Sequence, residues 1–329
     1  MIHKTSTAHM TREEWLEARR HSVGGSEVGA VLGLSPYASA VSVWANKTGW
    51  VPDAEENEAM RFGTFAEEYV AQRFSDITGK TVRKSNYIYR NDDYPHLHAN
   101  VDRLIVGERA GLECKTASEL MVGKYQNGEF PAHYYSQCVS YMAVLDLPIW
   151  YLCALIGNKH IRIFKMVRPD QDTSCPDWCE SVTVIREDEM AAIRDVVVDF
   201  WQYVETMTMP PIEDSTQATA DTLEQVYPGG DQEPESLECM ESVLRQLALA
   251  KAEKKDVEAV IKQLENQIKG RLCDCECGTC EGYTVTWKPQ SRTTFDYKKL
   301  EHEHPELDLA PYKKTSISRV FRFTQKEEA

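Results

Sequence analysis

The residues of this 329-residue chain whose types and spacing can do chemistry are concentrated in two short runs, Asn100-Val101-Asp102-Arg103-Leu104-Ile105-Val106 and Gly111-Leu112-Glu113-Cys114-Lys115-Thr116. Side chains alternate along a strand, so Glu113 and Lys115 leave one face while Leu112 and Cys114 leave the other. Asp102, on a strand paired with that one, can converge on Glu113 and Lys115. Two carboxylates and an ammonium at the edge of an apolar hairpin form a hard-oxygen site suited to a divalent cation, with a base beside it. An Asp followed by Glu-x-Lys also arises by chance on solvated hairpins. The apolar neighbours on both sides favour a site, because a charge among them is costly unless it is paired or metal-bound. Upstream, Arg61-Phe62-Gly63-Thr64-Phe65-Ala66-Glu67-Glu68-Tyr69 reads as a helix. Gly63 there permits close backbone approach, and Glu67, one turn on, either delivers a third carboxylate or stays solvated.

The elements that must position these groups are legible around them. Arg12 to Arg20 is a helix capped by Thr11, and Gly24-Gly25-Ser26-Glu27 opens a second, short helix through Leu32. Residues 58 to 78 form a third, with Phe62, Phe65, Tyr69, Val70 and Phe74 assigned to its apolar side. Strand-like runs at Ala99 to Val106 and Gly111 to Thr116 flank a turn at Gly107 to Ala110. A helix from Tyr134 to Leu145, strands at Trp150 to Ile156 and His160 to Met166, and a helix from Asp188 to Thr206 follow. Helices before and after a central sheet define an α/β (α+β) core of roughly 200 residues.

Composition bounds the rest. With 37 Lys and Arg against 52 Asp and Glu, the net charge of −15 excludes a wholly basic nucleic-acid coat but permits a basic channel within an acidic exterior. The hydrophobic share of 42% and charged share of 27% exclude a collagen-like or fully disordered chain. No run approaches the roughly 18 apolar residues of a membrane span, and the polar start Met1-Ile2-His3-Lys4 lacks a signal-peptide stretch, so the expected location is the cytoplasm and most of the ten cysteines are expected as thiols. Between Glu213 and Glu241 lie nine acids, Asp231 among them, and no Lys or Arg. With Pro210-Pro211, Pro228-Gly229-Gly230 and Pro234, this segment reads as a linker. The domains are therefore expected at 1–210, with an acidic linker at 211–236 and an appendage at 237–329.

The order Gly63-x3-Glu67, Asp102, Glu113-Cys114-Lys115 and then Gln137 on a helix resembles the PD-(D/E)xK nuclease superfamily. Within it the chain is similar to the YqaJ-type viral recombinases, relatives of bacteriophage lambda exonuclease. Arg20-His-Ser-Val-Gly-Gly-Ser26-Glu-Val-Gly, Leu32-Gly-Leu-Ser-Pro-Tyr37, Trp44-Ala-Asn-Lys-Thr-Gly49 and Tyr134-Tyr-Ser-Gln137-Cys-Val-Ser-Tyr141-Met carry the likeness, which spans about residues 10 to 170. Val101 stands where the superfamily name has Pro, a variable position. The resemblance implies a restriction-endonuclease-like core, a mixed sheet flanked by helices. It also implies a Mg²⁺-dependent exonuclease, with Mn²⁺ as a substitute, that degrades one strand of linear double-stranded DNA from a 5′ end. Asp102, Glu113 and the Cys114 carbonyl would hold the metal, Glu67 would complete the site or hold a second ion, and Lys115 would orient or deprotonate the attacking water. Arg20 and Ser26 would bind the terminal 5′-phosphate, and Gln137 would contact substrate or the Lys115 end of the site. Partners implied are double-stranded DNA ends and a single-strand annealing recombinase of a phage or prophage, with homo-oligomerisation left open and no membrane. A DNA endonuclease on the same fold and an inactive nuclease-like binding module remain as alternatives.

Beyond the resemblance, Cys273-Asp-Cys275-Glu-Cys277-Gly-Thr-Cys280 offers four thiolates to a metal, or forms a Cys-rich hairpin loop. Leu237, Met240, Leu244, Leu247, Val257, Ile261, Leu264 and Ile268 follow a three-four spacing, interrupted by Lys251, Lys254 and Lys255. This predicts a long amphipathic helix ending near Gly270, as a short coiled coil or half of a helical pair. Alternation in Tyr283 to Trp287 and Arg319 to Phe323 predicts a small β unit at the end. Basic residues there, from Lys288 to Lys326, are interleaved with aromatics that either grip DNA or form the core of that unit.

Overall fold

The run Ile149-Trp-Tyr-Leu-Cys-Ala-Leu-Ile156 is apolar throughout, as a strand covered on both faces must be. Trp150, Leu152, Ala154 and Ile156 enter one hydrophobic cluster, and Tyr151, Cys153 and Leu155 enter another on the opposite face. This alternation splits the core into two layers with a sheet between them.

The computed structural model describes residues 1–53, 55–229, 233–314 and 319–324, in two compact units, Met1–Pro228 and Gly229–Ala329. The first unit runs β1 (Ile2–Ser6), α1 (Arg12–Arg20), β2 (Val23–Gly24), α2 (Gly25–Val31), α3 (Ala40–Lys47), α4 (Glu58–Thr78), β3 (Val82–Lys84), β4 (Tyr87–Asn91), β5 (Tyr94–Asn100), β6 (Arg103–Ile105), β7 (Ala110–Ala117), α5 (Ala132–Leu145), β8 (Ile149–Ile156), β9 (His160–Val167), β10 (Ser181–Val184), α6 (Glu187–Glu205) and α7 (Gln217–Val226). A mixed sheet has the strand order β10-β9-β8-β7-β6-β3. Its central pair, β7 and β8, is parallel and joined through α5, while β6 and β9 run antiparallel to them. A smaller sheet has the order β1-β4-β5-β2. Val70 and Phe74 of α4 pack with Leu112, Cys114 and Tyr151 on one face of the large sheet. Cys138 and Met142 of α5, with Ile193 and Val197 of α6, pack with Trp150 and Leu152 on the other. The expected mixed α/β architecture is present, with a central sheet flanked by helices.

Several boundaries differ from expectation for identifiable reasons. The run Ala99 to Val106 is not one strand, because the chain leaves the small sheet at Asn100 and enters the large one at Arg103. At the crossing the Asp102 carboxylate accepts the Cys114 backbone N–H at 2.8 Å, so a side chain replaces a ladder bond. On α4 the inner row is Ala66, Val70, Ala71 and Phe74, whereas Phe62, Phe65 and Tyr69 are exposed. At roughly 100° per residue, Phe65 and Tyr69 fall on the far side of the helix from the centre of that row. The acidic segment is not wholly a linker. Thr216 caps α7 by accepting the Thr219 N–H, and Thr219, Thr222 and Val226 are buried. Helix α7 packs on α3, which carries the first unit past residue 210 to Pro228. Asp231 lies outside the described residues.

The second unit contains α8 (Glu241–Leu272), β11 (Cys277–Cys280), β12 (Tyr283–Thr286) and α9 (Tyr297–Glu303). Strands β11 and β12 form an antiparallel hairpin. Arg319 to Phe323 forms no strand, and Lys326 lies outside the described residues. Trp287, Phe295, Tyr312 and Phe321 are exposed, so they do not build the core of a β domain. Among the described residues no helix is long and apolar enough to cross a membrane.

Gly111 faces Trp150 across the β7–β8 pair, and a Cβ added there would lie 2.2 Å from the indole ring. Gly111→Ala is therefore expected to destabilise the first unit by about 1–3 kcal/mol, as overpacking does. Denaturant unfolding of the two proteins checks this, and equal midpoints would contradict the close approach.

Candidate active site

Strand β7 positions the site because it lies in the middle of the sheet and its two faces meet different layers. Leu112 and Cys114 enter the layer under α4. Glu113 and Lys115 turn to the opposite side, where they meet α5, as their alternation requires. Glu113 is 2% exposed. Its Oε1 accepts hydrogen bonds from Gln137 Nε2 and Lys115 Nζ, both at 2.7 Å. Its Oε2 is buried and has no protein partner. Asp102 reaches the same place from the junction of β5 and β6, with Oδ2 fixed by the Cys114 N–H.

The electrostatics follow from crowding like charges away from water. Burial, reinforced by the Glu113 charge, pushes the Asp102 carboxyl well above its usual range. Burial also raises Glu113, against the opposing effect of Lys115. For Lys115, burial disfavours the ammonium, but Glu113 and Asp102 outweigh it and hold the pKa above that of an ordinary lysine. The ammonium also lies 4.9 Å from the centre of the Tyr134 ring, a cation–π arrangement. Glu67 is near enough to raise both carboxyls, yet its own oxygen is bonded to Arg103. Arg103 is 2% exposed and bridges Glu67 to Glu68.

The structure thus brings Asp102, Glu113 and Lys115 together and sets Glu67 at the margin on an arginine. Gln137, expected to contact substrate or the Lys115 end of the site, stands at the latter: it is buried, and its amide nitrogen donates to the Glu113 oxygen that Lys115 also holds and to the Tyr141 hydroxyl. Cys114 supplies its backbone, while its thiol is buried on the α4 side and pushed up by that burial. Arg20 pairs with Asp53 at 2.8 Å and with Glu17 at 3.4 Å. Ser26 is exposed in the first turn of α2, whose N-cap is Gly24. A Cβ on Gly25 would lie 2.3 Å from the Tyr141 ring, so the turn carrying Ser26 rests on the side chain that braces Gln137.

Four residues that the motif reading did not single out complete the site: Arg103, Tyr134, Tyr141 and Lys47. Tyr134, Gln137 and Tyr141 had a usable signal, since three- and four-residue spacing places them on one face of α5. Arg103 and Lys47 had none beyond their neighbours in sequence. Lys47 is buried at the end of α3, where it donates to the Arg19 carbonyl at 3.1 Å and pairs with Glu27 at 2.7 Å. Glu27 also accepts the Gly24 N–H at 2.6 Å, which ties the turn between Arg20 and Ser26 to α3.

Among the described residues no three His, Cys, Asp or Glu side chains form a metal-binding group. The oxygen set brought together is that of the two carboxylates, Asp102 and Glu113. It fits Mg²⁺, which is commonly held by one or two carboxylates plus waters and substrate oxygens, and the unpaired buried Oε2 of Glu113 is the atom such an ion would satisfy. Cys273, Cys275, Cys277 and Cys280 are exposed free thiols, the last two at the ends of β11.

Comparison with known proteins agrees with the motif order. The family model described as the YqaJ-like viral recombinase domain matches residues 14–147. Over 323 residues the chain is 32% identical to the uncharacterised protein YqaJ of Bacillus subtilis (strain 168), covering 95% of this chain and 94% of that one. The chain belongs to the YqaJ-like viral recombinase family. Among solved structures, it aligns with an alkaline exonuclease from Laribacter hongkongensis at a TM-score of 0.44 and 19% identity, over 59% of this chain and 93% of that one. A phage-related exonuclease from Haemophilus somnus 129PT aligns at a TM-score of 0.38 and 12% identity, over 57% and 96%.

Because Lys47 keeps only 1% of its side chain exposed, removing its partner strands a buried charge. Glu27→Ala is expected to cost about 3 kcal/mol, the scale for breaking one side of a buried pair. Thermal unfolding of the variant beside Glu27→Gln, which retains a hydrogen-bond acceptor, measures it; a loss under about 0.5 kcal/mol would show the pair to be dispensable.

Proposed function

We propose that the first unit is a Mg²⁺-dependent nuclease that resects linear double-stranded DNA from its 5′ ends, exposing single strands for phage-type homologous recombination. The observation that carries this reading is the Asp102–Glu113–Lys115 cluster, in which a buried carboxylate oxygen of Glu113 has no protein partner. Family membership supports the recombination setting. Asp102, Glu113 and the Cys114 carbonyl would hold the ion, and Mn²⁺ would substitute for Mg²⁺. When bound, the ion supplies charge neutralisation at the phosphate and a water of lowered pKa.

The protein's own groups set the geometry. Gln137 and Lys115 fix one oxygen of Glu113, which leaves the other free to bind. Lys115, held protonated by its two carboxylate neighbours, orients the attacking water as a hydrogen-bond donor. Glu67, bonded to Arg103 at the margin, would complete the site or hold a second ion. Arg20 and Ser26, on the turn resting over Tyr141, bind the terminal phosphate and so select a 5′ end. The product strand then passes to a single-strand annealing recombinase.

Linear and closed-circular duplexes of one sequence, carrying 5′-phosphate or 5′-hydroxyl ends and labelled at either terminus, test reaction, polarity and pocket together. Expected are Mg²⁺-dependent loss of the 5′ label on the linear form, slower attack on 5′-hydroxyl ends, and an intact circle. Cleavage of the circle would establish the endonuclease instead.

Lys115→Ala is expected to lower the cleavage rate by at least about 10²-fold, the scale of removing one preorganised donor from a reacting centre. DNA binding, measured by anisotropy, should persist. Unchanged cleavage would remove Lys115 from the site.

A further inference from the structure

Tyr37 is 70% exposed, yet its place is fixed. The turn that carries it leaves α2 through Gly33, whose φ of 68° suits glycine. The Leu34 and Ser35 N–H groups then both donate to the Gly29 carbonyl, at 2.8 and 3.0 Å, and the Tyr37 N–H donates to the Ser35 hydroxyl at 3.2 Å. Pro36 removes further backbone freedom. Single exposed rings are ordinary on protein surfaces, and what sets Tyr37 apart is what it touches. Its ring meets that of His133 at 5.9 Å and 87°, an edge-to-face arrangement. His133 in turn lies 4.1 Å from Tyr134, the ring on which the Lys115 ammonium rests. Three contacts thus run from Lys115 out to an exposed tyrosine.

Helix α2 sets where along the site this tyrosine stands. Gly25 packs on Tyr141 and Gly29 on His133, where an added Cβ would lie 2.7 Å from the histidine Cβ. As α2 advances its contacts recede along α5, so the two helices run antiparallel. The turn of Ser26 lies over Tyr141, and Tyr37 lies at the opposite end, over the first turn of α5. Tyr134 and Gln137, which hold Lys115 and Glu113, fall between the two ends. A strand whose terminal phosphate sits at the Ser26 turn and whose next phosphate meets the carboxylates therefore continues toward Tyr37.

The ligand that suits an exposed, rigidly held ring at that point is a nucleobase. Every base has a π-face, so stacking on an aromatic side chain works for any sequence, as progress along a strand requires. We propose that Tyr37 is a base-stacking residue: it takes the nucleobase on the 3′ side of the cleaved bond and so holds the strand in register at the carboxylates. This inference deepens the nuclease reading and rests on it.

The fluorescence of 2-aminopurine tests it on the full chain, with Ca²⁺ in place of Mg²⁺ so that binding is read without turnover. The probes are duplexes whose 5′-phosphorylated strand ends in three unpaired nucleotides, with 2-aminopurine at the first, second or third. Binding is expected to quench the second or third probe and to leave the first bright. Tyr37→Ala should abolish that quenching and weaken binding about 5- to 150-fold, the effect of losing one stacked base, whereas Tyr37→Trp should keep both. An abasic nucleotide at the quenched position should weaken binding by the parent and leave binding by Tyr37→Ala unchanged. Quenching confined to the first probe or absent from the parent, quenching that survives in Tyr37→Ala, or equal abasic losses in the two proteins would each overturn the proposal and leave the nuclease reading standing. A parent that binds none of these ends overturns both.

Discussion

A carboxylate buried in the centre of a protein has to be answered by something, and the first unit is organised around Glu113. One of its oxygens is answered by Lys115 and Gln137, while the other has no protein partner. Leaving a buried charged acceptor unpaired costs more than a hydrogen bond returns, so such an atom persists where something outside the chain completes it. Lys115 offsets part of the burial, and the pair is nearly neutral together. Asp102 brings a second negative charge into the same space. Its elevated pKa expresses how unfavourable that charge is without a further cation.

Holding these groups there requires that β7 be central. A strand at an edge could present Glu113 and Lys115 to water, where neither would be perturbed. In the interior, Leu112 and Cys114 anchor β7 on the α4 layer, and the pleat turns Glu113 and Lys115 toward α5. The crossover from β7 to β8 then lays α5 over the sheet, so one helix supplies Tyr134, Gln137 and Tyr141 to the same site. Gly25 lets α2 approach Tyr141 closely, which couples the turn bearing Ser26 to the carboxylates through two side chains. Packing of Gly25 on Tyr141 and hydrogen bonds from Gln137 to Tyr141 and Glu113 thus connect the turn bearing Ser26 to the carboxylate.

This logic explains which parts were legible in the sequence. Strand alternation placed Glu113 and Lys115 on one face because period two is a local property, and the start of α1 followed from the cap at Thr11. What failed depended on contacts distant in sequence. Nothing local distinguishes Phe65 from Val70 on α4; only the position of the sheet decides which faces inward. The break at Asp102 was hidden because Val101 and Ile105 are both apolar and both buried, though in different clusters. Which of its two expected contacts Gln137 makes was hidden because its partner Glu113 lies 24 positions earlier. The acidic segment concealed α7 because its charges face solvent while three less polar residues do the packing.

The net charge of −15 takes on a different meaning once the basic residues are placed. Several in the first unit are already engaged: Arg103 by Glu67 and Glu68, Lys47 by Glu27, and Arg20 by Asp53. A terminal phosphate would therefore reach Arg20 by exchange. The exchange is favourable in principle, because a phosphate monoester carries about −1.5 to −2 charges near neutral pH against one on Asp53, and offers three acceptor oxygens to the guanidinium fork. Asp53 keeps a second partner when released, since Asn46 already donates to its other oxygen at 2.8 Å. The acid beside Arg20 would thus hold the guanidinium in place before substrate arrives, and a phosphate monoester would displace it more readily than a singly charged phosphodiester.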